Sequence, residues 1–99
     1  MTAEAAARDI EAKIRDLVAF ITGEEAAGYD ASSPLIGEKA VVDSQGLLEV
    51  MLGLEDYAGE RFGKPFDWMN DAAFSSSRSP FRTIGTLAAH MGAQMVDGA

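Results

Sequence analysis

The sequence predicts an all-α fold, on three observations. Apolar residues recur at helical spacing in three separate stretches, led by Ile10, Leu47 and Ile84. No stretch alternates apolar and polar residues for long enough to form a sheet strand. Stop and start signals fall between the stretches: Gly23 after the first, Gly63 and Pro65 after the second, Ser79-Pro80 before the third. The expected architecture is three long helices, a long first connection, and room for a short helix between the second and third. With 99 residues, the chain makes one domain over 1–99, with an ordered core of about 3–95. A hydrophobic content of 47% suffices for one modest core.

Thr2 to Ile21 reads as the first helix. Thr2 can cap it, and Glu4 complements the positive end of its dipole. Ile10, Ile14, Leu17, Val18 and Ile21 lie on one apolar face, while Glu11, Lys13, Arg15 and Asp16 fall mostly off it. The glycine at position 23 stops it. No chemistry is expected from this helix.

Thr22 to Asp43 is a long connection, broken by Gly28, Ser32-Ser33-Pro34 and Gly37. Connections of this length inside a compact domain have a function or conceal an element. Leu35, Ile36, Val41 and Val42 are too apolar to be left in water. The loop is therefore expected to be pinned by Leu35 or Ile36 and by one of the two valines. It would then deliver Asp43-Ser44 to an exposed corner.

Ser44 to about Phe62 is the second helix, capped by Asp43 or Ser44 through a side-chain oxygen. Its buried stripe is expected to be Leu47, Leu48, Met51, Leu54, Ala58 and Phe62, with Glu49, Val50, Gly53 and Asp56 toward other faces. Gly46, Gly53 and Gly59 each weaken a helix by roughly 1 kcal/mol relative to Ala. Packing must offset that, or small residues are needed for close approach.

Phe66 to Phe74 can hold a short helix capped by Asp67, with Trp68, Met69, Ala72 and Ala73 available for packing. Ser75 to Ser79 reads as a polar, flexible tract. The last helix is expected from Ser79, with Pro80 at its first position, to about Met95; a start at Thr83 is the alternative. Ile84, Leu87, Ala88, Met91 and Met95 form its stripe. The final VDGA is expected to fray. His90 reads as solvated or half-buried, without a catalytic partner at any indicated spacing.

Sixteen acids against eight bases give a net charge of −8. That balance disfavours nucleic acid, whose binding needs clustered Lys and Arg, and disfavours anionic membrane surfaces. Partners with basic patches are favoured instead, in encounters weakened by salt. The chain contains no Cys, which excludes disulfides, thiolate nucleophiles and Cys-ligated zinc. A single His excludes a multi-histidine metal site. No apolar run reaches the length of a membrane span, and MTAEAAARD lacks the features of a signal peptide. The chain thus reads as cytoplasmic, without membrane insertion, and as a monomer. Glycine-rich phosphate loops and calcium loops are missing, and adjacent acids such as Glu24-Glu25 read as a solvated face. No catalytic residue and no metal ligand are assigned, and an enzyme is not expected.

The remaining feature is Asp43-Ser44, followed by Leu47-Leu48-Glu49, then VMLGLED at 50–56, and a closing helix after Thr83-Ile84. In these residues, and in the order helix, long loop, Asp-Ser helix, short element, final helix, the chain resembles the acyl carrier and peptidyl carrier proteins. The resemblance implies a right-handed four-helix bundle with a short third helix. It implies a 4'-phosphopantetheine arm on Ser44, whose thiol holds an acyl or aminoacyl group as a thioester. The arm brings its own sulfur, consistent with a chain that contains no Cys. Asp43 would engage the phosphopantetheinyl transferase and its magnesium. Further implied partners are acyl-activating, synthase or acyltransferase enzymes, met by Gln45, Leu48, Glu49, Glu55 and Asp56, with Glu60 near them.

Two departures bear on partner choice. Gln45-Gly46 replaces the apolar residue that often follows the serine. The second helix runs about one turn longer, with Tyr57 to Glu60 as the apparent insertion; four residues nearly preserve the helical face, so Phe62 can still reach the core. Both point to a specialised rather than a housekeeping pathway. The alternative is a small acidic helical adaptor without a prosthetic group, in which Ser44 is only a cap.

Overall fold

The computed structural model describes residues 2–66 and 82–96, which are mostly helical and contain no strand. Helix α1 runs Ala3–Thr22, α2 Ser44–Tyr57 and α3 Ile84–Val96. A single 3₁₀ turn, Ala26–Gly28, follows α1, and a π-helical turn, Ala58–Phe62, extends α2. The short helix expected within Phe66 to Phe74, the tract Ser75 to Ser79 and the fraying 96–99 lie outside the described residues, apart from Phe66, which is buried, and Val96, which is still helical and packs against the core.

Helix α1 begins and ends as its sequence dictates. The Ala5 amide donates to Thr2 Oγ1 at 3.1 Å. Gly23 adopts the left-handed conformation at φ 78° and its N–H donates to the Ala19 carbonyl, a termination that favours glycine. Ala6, Ile10, Ile14 and Val18 are fully buried, with Leu17 and Ile21 packed at the edge of the core. The helix makes its broadest contact with α3, and a smaller one with α2.

Helix α3 starts at Ile84, near the alternative start, and not at Ser79. Thr83 and Thr86 cap it reciprocally: the Thr86 amide donates to Thr83 Oγ1 at 3.1 Å, and the Thr83 amide donates to Thr86 Oγ1 at 2.9 Å. The residues before it are committed elsewhere. Thr83 forms a bridge with Pro34, and the Arg82 carbonyl accepts from the Leu35 amide at 2.8 Å. Ser79-Pro80 is a local start signal, but the backbone of Arg82 and Ile84, on either side of Thr83, is hydrogen-bonded to the long loop. Ile84, Leu87, Ala88, Met91 and Met95 are buried as expected, and Gly92 joins them. His90 is half-buried, against Gln94 Nε2 at 3.0 Å and edge-on to Phe66.

Two expectations for α2 need correction. Val50 is fully buried, and Leu48 is 45% exposed. The buried arc is Leu47, Val50, Met51, Leu54 and Ala58. The stretch 47–54 is apolar around most of its circumference, so spacing alone does not choose the buried arc. The choice comes from α1: a Cβ on Gly53 would lie 2.8 Å from Leu17 Cδ2. Gly53 faces the Leu17 side chain of α1, and with that face turned to α1 Val50 falls inward and Leu48 outward. The helical run reaches Phe62 as expected, but its last turn, Ala58–Phe62, is π-helical rather than α-helical. The π-helical turn that follows closes at Gly63 (φ 66°), whose N–H donates to the Ala58 carbonyl. Phe62 is only partly buried, edge-on to Tyr57 at 5.9 Å between ring centroids.

Candidate functional site

The loop between α1 and α2 builds the corner at which α2 begins. Asp30 opens it, its carboxylate accepting from the Ser32 amide at 2.9 Å and hydroxyl at 2.7 Å. These bonds hold the Asp30 pKa below its ordinary value. The Ile84 amide donates to Ser33 and the Gly85 amide to Ala31, both to carbonyls, so the loop is fastened to the first turn of α3. Gly85 permits this approach: a Cβ there would lie 2.9 Å from the Ala31 oxygen. Leu35 and Val42 are the buried pins, as one member of each expected pair, and Ile36 and Val41 are partly buried against them.

Asp43, not Ser44, caps α2. It has extended backbone (φ −83°, ψ −177°), and its Oδ1 accepts from the Gly46 amide at 2.7 Å. Ser44 is the first helical residue and is exposed; among the described residues its side chain makes no hydrogen bond. Gly46 is buried here for a local reason. A Cβ on it would meet Val42 Cβ at 3.0 Å and Asp43 Oδ1 at 3.3 Å. The glycine therefore lets the cap close and Val42 seat beneath it.

This division of labour has a measurable consequence. Asp43→Ala should cost about 1 kcal/mol of stability in chemical denaturation, and Asp43→Asn much less. Ser44→Ala should stay within about 0.5 kcal/mol of the parent chain, as expected for a surface change with no bond to lose. Equal costs for Asp43→Ala and Ser44→Ala would show that both residues cap.

Beside Ser44 lies an open cleft of about 310 Å³ between the loop and the first turn of α2. Leu35, Ile36, Val42 and Leu47 give it apolar walls, Gly37 and Ala40 keep its loop side low, and Asp43 and Ser44 stand at its edge. The glycine at 37 turns with φ 100°, which favours glycine. The cleft residues were not identified as a set from the sequence, because they come from two sides of a turn whose path spacing does not give.

Gln45, Leu48, Glu49, Glu55 and Asp56 are all exposed on the outer side of α2. Ser44 begins the same helix, so the structure brings the whole expected set onto one surface. Leu52, 48% exposed and one turn beyond Leu48, belongs to it and was missed. Its i, i+4 relation to Leu48 was the available signal once Leu48 is placed outside. Phe20 was missed as well: it is 89% exposed on α1 and lies off that helix's apolar stripe.

The far end of α2 is tied to α1 by a charged and aromatic contact. Arg61 pairs with Asp9 at 3.3 Å, and Lys13 lies over the Tyr57 ring at 5.7 Å. Burial, then the nearby Asp9 carboxylate, raise the Tyr57 pKa above its ordinary value. No group of acids or histidines among the described residues could hold a metal ion. No described helix is long and apolar enough to cross a membrane. No family model matches the chain, and neither a curated protein nor a solved structure matches it.

Proposed function

We propose that the chain is an acyl or aminoacyl carrier protein, modified on Ser44 by 4'-phosphopantetheine. The observation that carries this reading is the corner itself. Asp43 supplies the cap, which leaves the exposed Ser44 hydroxyl with no structural task. The helix order and the Asp-Ser motif support the same reading. In the four-helix form of the fold, the short helix would fall within 67–81, outside the described residues.

The residues at the corner fit the group. Ser44 Oγ is open to a transferase, which would take its proton while the hydroxyl oxygen bonds to phosphorus of coenzyme A. The pyrophosphate bond breaks, and the adenosine bisphosphate leaves. The first-turn N–H groups of α2 favour a phosphodiester anion at this end. Asp43 keeps Oδ1 on the Gly46 amide and leaves Oδ2 for the transferase and its magnesium. The cleft wall of Leu35, Ile36 and Leu47 gives a short apolar stretch beside the attachment point. When bound, the arm supplies the thiol that carries the cargo as a thioester, and tethering raises the cargo's effective concentration at partner active sites. Glu49, Glu55 and Asp56 then face basic patches on the enzymes that load and unload it, in contacts weak enough for rapid release. Gln45 and the π-helical turn, placed on or next to that surface, support a dedicated rather than a housekeeping set of enzymes.

Intact-mass spectrometry tests the proposal. The chain is incubated with coenzyme A, magnesium and a promiscuous phosphopantetheinyl transferase. The expected result is a gain of one phosphopantetheine, located on Ser44 by peptide fragmentation and abolished in Ser44→Ala. No gain with several transferases would overturn the reading in favour of an acidic adaptor that carries no arm. A gain that persists in Ser44→Ala would overturn the site.

A further inference from the structure

The seam between α1 and α2 carries a groove whose α1 wall, Leu17, Phe20 and Ile21, the carrier reading does not use. Leu17, Phe20 and Ile21 on α1, with Glu49 on α2, line a groove of about 440 Å³. Outward from the seam, α2 presents Gly53, then Glu49, then Leu52 and Leu48, at the angles that helical spacing gives. Leu48 and Leu52 are 45% and 48% exposed, and Phe20 is 89% exposed. These are the large hydrophobic side chains left exposed among the described residues; Phe20 lines the groove itself, and Leu52 and then Leu48 lie farther round α2 from it. A phenylalanine ring in that position contributes almost nothing to the core.

The groove is apolar at its floor and acidic at its edges. Asp16 precedes Phe20 by one turn, Glu49 lines the groove, and Asp56 follows Leu52 by one turn; all three are exposed. None of them forms an ion pair among the described residues, where Arg61 pairs with Asp9 instead. We infer that the α1–α2 face is a docking surface for a basic amphipathic helix of a protein partner, with Phe20 as its apolar anchor. An apolar row seats between Phe20 and Leu52, and flanking Lys and Arg meet the acids. Charge selects this occupant over the others. A second copy of a chain with net charge −8 would bring two acidic rims together, and an anionic membrane surface would be repelled in the same way. The surface extends the exposed side of α2 onto α1 and does not depend on modification of Ser44.

The test uses the full chain, isotope-labelled for NMR, and a synthetic peptide of leucine and lysine with the leucines at helical spacing. A leucine and glutamate peptide of the same pattern is the control. Shift changes should concentrate at Leu17, Phe20, Ile21, Glu49 and Leu52 with the basic peptide and be absent with the acidic one. Phe20→Ala should weaken the basic peptide by about tenfold, the size of a modest anchor residue, with an unchanged unfolding midpoint. Ser44→Ala should bind as the parent does. A chain that takes no phosphopantetheine yet binds through Phe20 therefore loses the carrier reading and keeps this one. Equal affinity of Phe20→Ala and the parent would overturn the inference, as would shifts spread over all acidic residues. A Phe20-dependent dimer in sedimentation would assign the face to a second copy, and Phe20-dependent binding to phosphatidylcholine vesicles would assign it to lipid; either result overturns it.

Discussion

Leu54→Ala should lower the free energy of unfolding by about 2–5 kcal/mol, measured by urea or guanidinium denaturation. Leu54 is fully buried on α2 and belongs to the core that joins all three helices. Its removal forfeits the transfer free energy of the side chain and leaves a cavity in a core whose other members, Met51, Ile14 and Leu87 among them, are themselves fully buried. A domain of this size has a total stability on the order of 5–15 kcal/mol, so the loss is a large share of it. Leu52→Ala, two residues away and half exposed, is the control and should cost much less. If the two substitutions cost the same, the buried arc of α2 is misplaced.

Gly92→Ala should destabilise the chain by about 1–3 kcal/mol, the usual range for overpacking, even though alanine is the better helix former by roughly 1 kcal/mol. The reason is what the new methyl group meets. A Cβ at Gly92 would lie 2.9 Å from the Ala3 oxygen and 3.1 Å from the Ala7 nitrogen. Both are backbone atoms of α1, so no rotamer change relieves the contact and the α1–α3 seam must open. Gly59→Ala is the counterpart with the opposite sign. Nothing lies within 4 Å of its Cβ position and its φ is not positive. It should therefore stabilise by about 0.4–1 kcal/mol. A thermal melt of the two variants beside the parent checks both signs, and a higher midpoint for Gly92→Ala would show that the helices can yield without loss.

These glycines mark the boundary between what residue spacing conveys and what it does not. Glycine within a predicted helix signals either a weak point or a close approach, and the sequence does not distinguish them. In the fold, Gly46 admits Val42 and the Asp43 cap, Gly53 admits Leu17, and Gly92 admits the backbone of α1. Gly59 admits nothing. Gln45-Gly46 was an anomaly by resemblance alone; the packing of Val42 gives Gly46 a structural cause, while Gln45 is exposed and has no such task.

By itself the sequence determined the all-α class, the first helix with both of its stops, the two apolar pairs from which the long loop is pinned, and Asp43-Ser44 at an exposed helix start. Each of these follows from local physics: side-chain caps, left-handed glycine, and apolar residues at a regular spacing. Tertiary structure alone decided the rest. The start of α3 moved to Ile84 because Arg82 and Thr83 are held by Leu35 and Pro34, far away in sequence. Val50 turned inward and Leu48 outward because Leu17 packs on Gly53, and α2 is apolar around too much of its circumference to choose for itself. The same rotation left Leu48 and Leu52 exposed, and the pairing of α1 with α2 set Phe20 and Glu49 on one groove, a juxtaposition that no spacing within either helix contains.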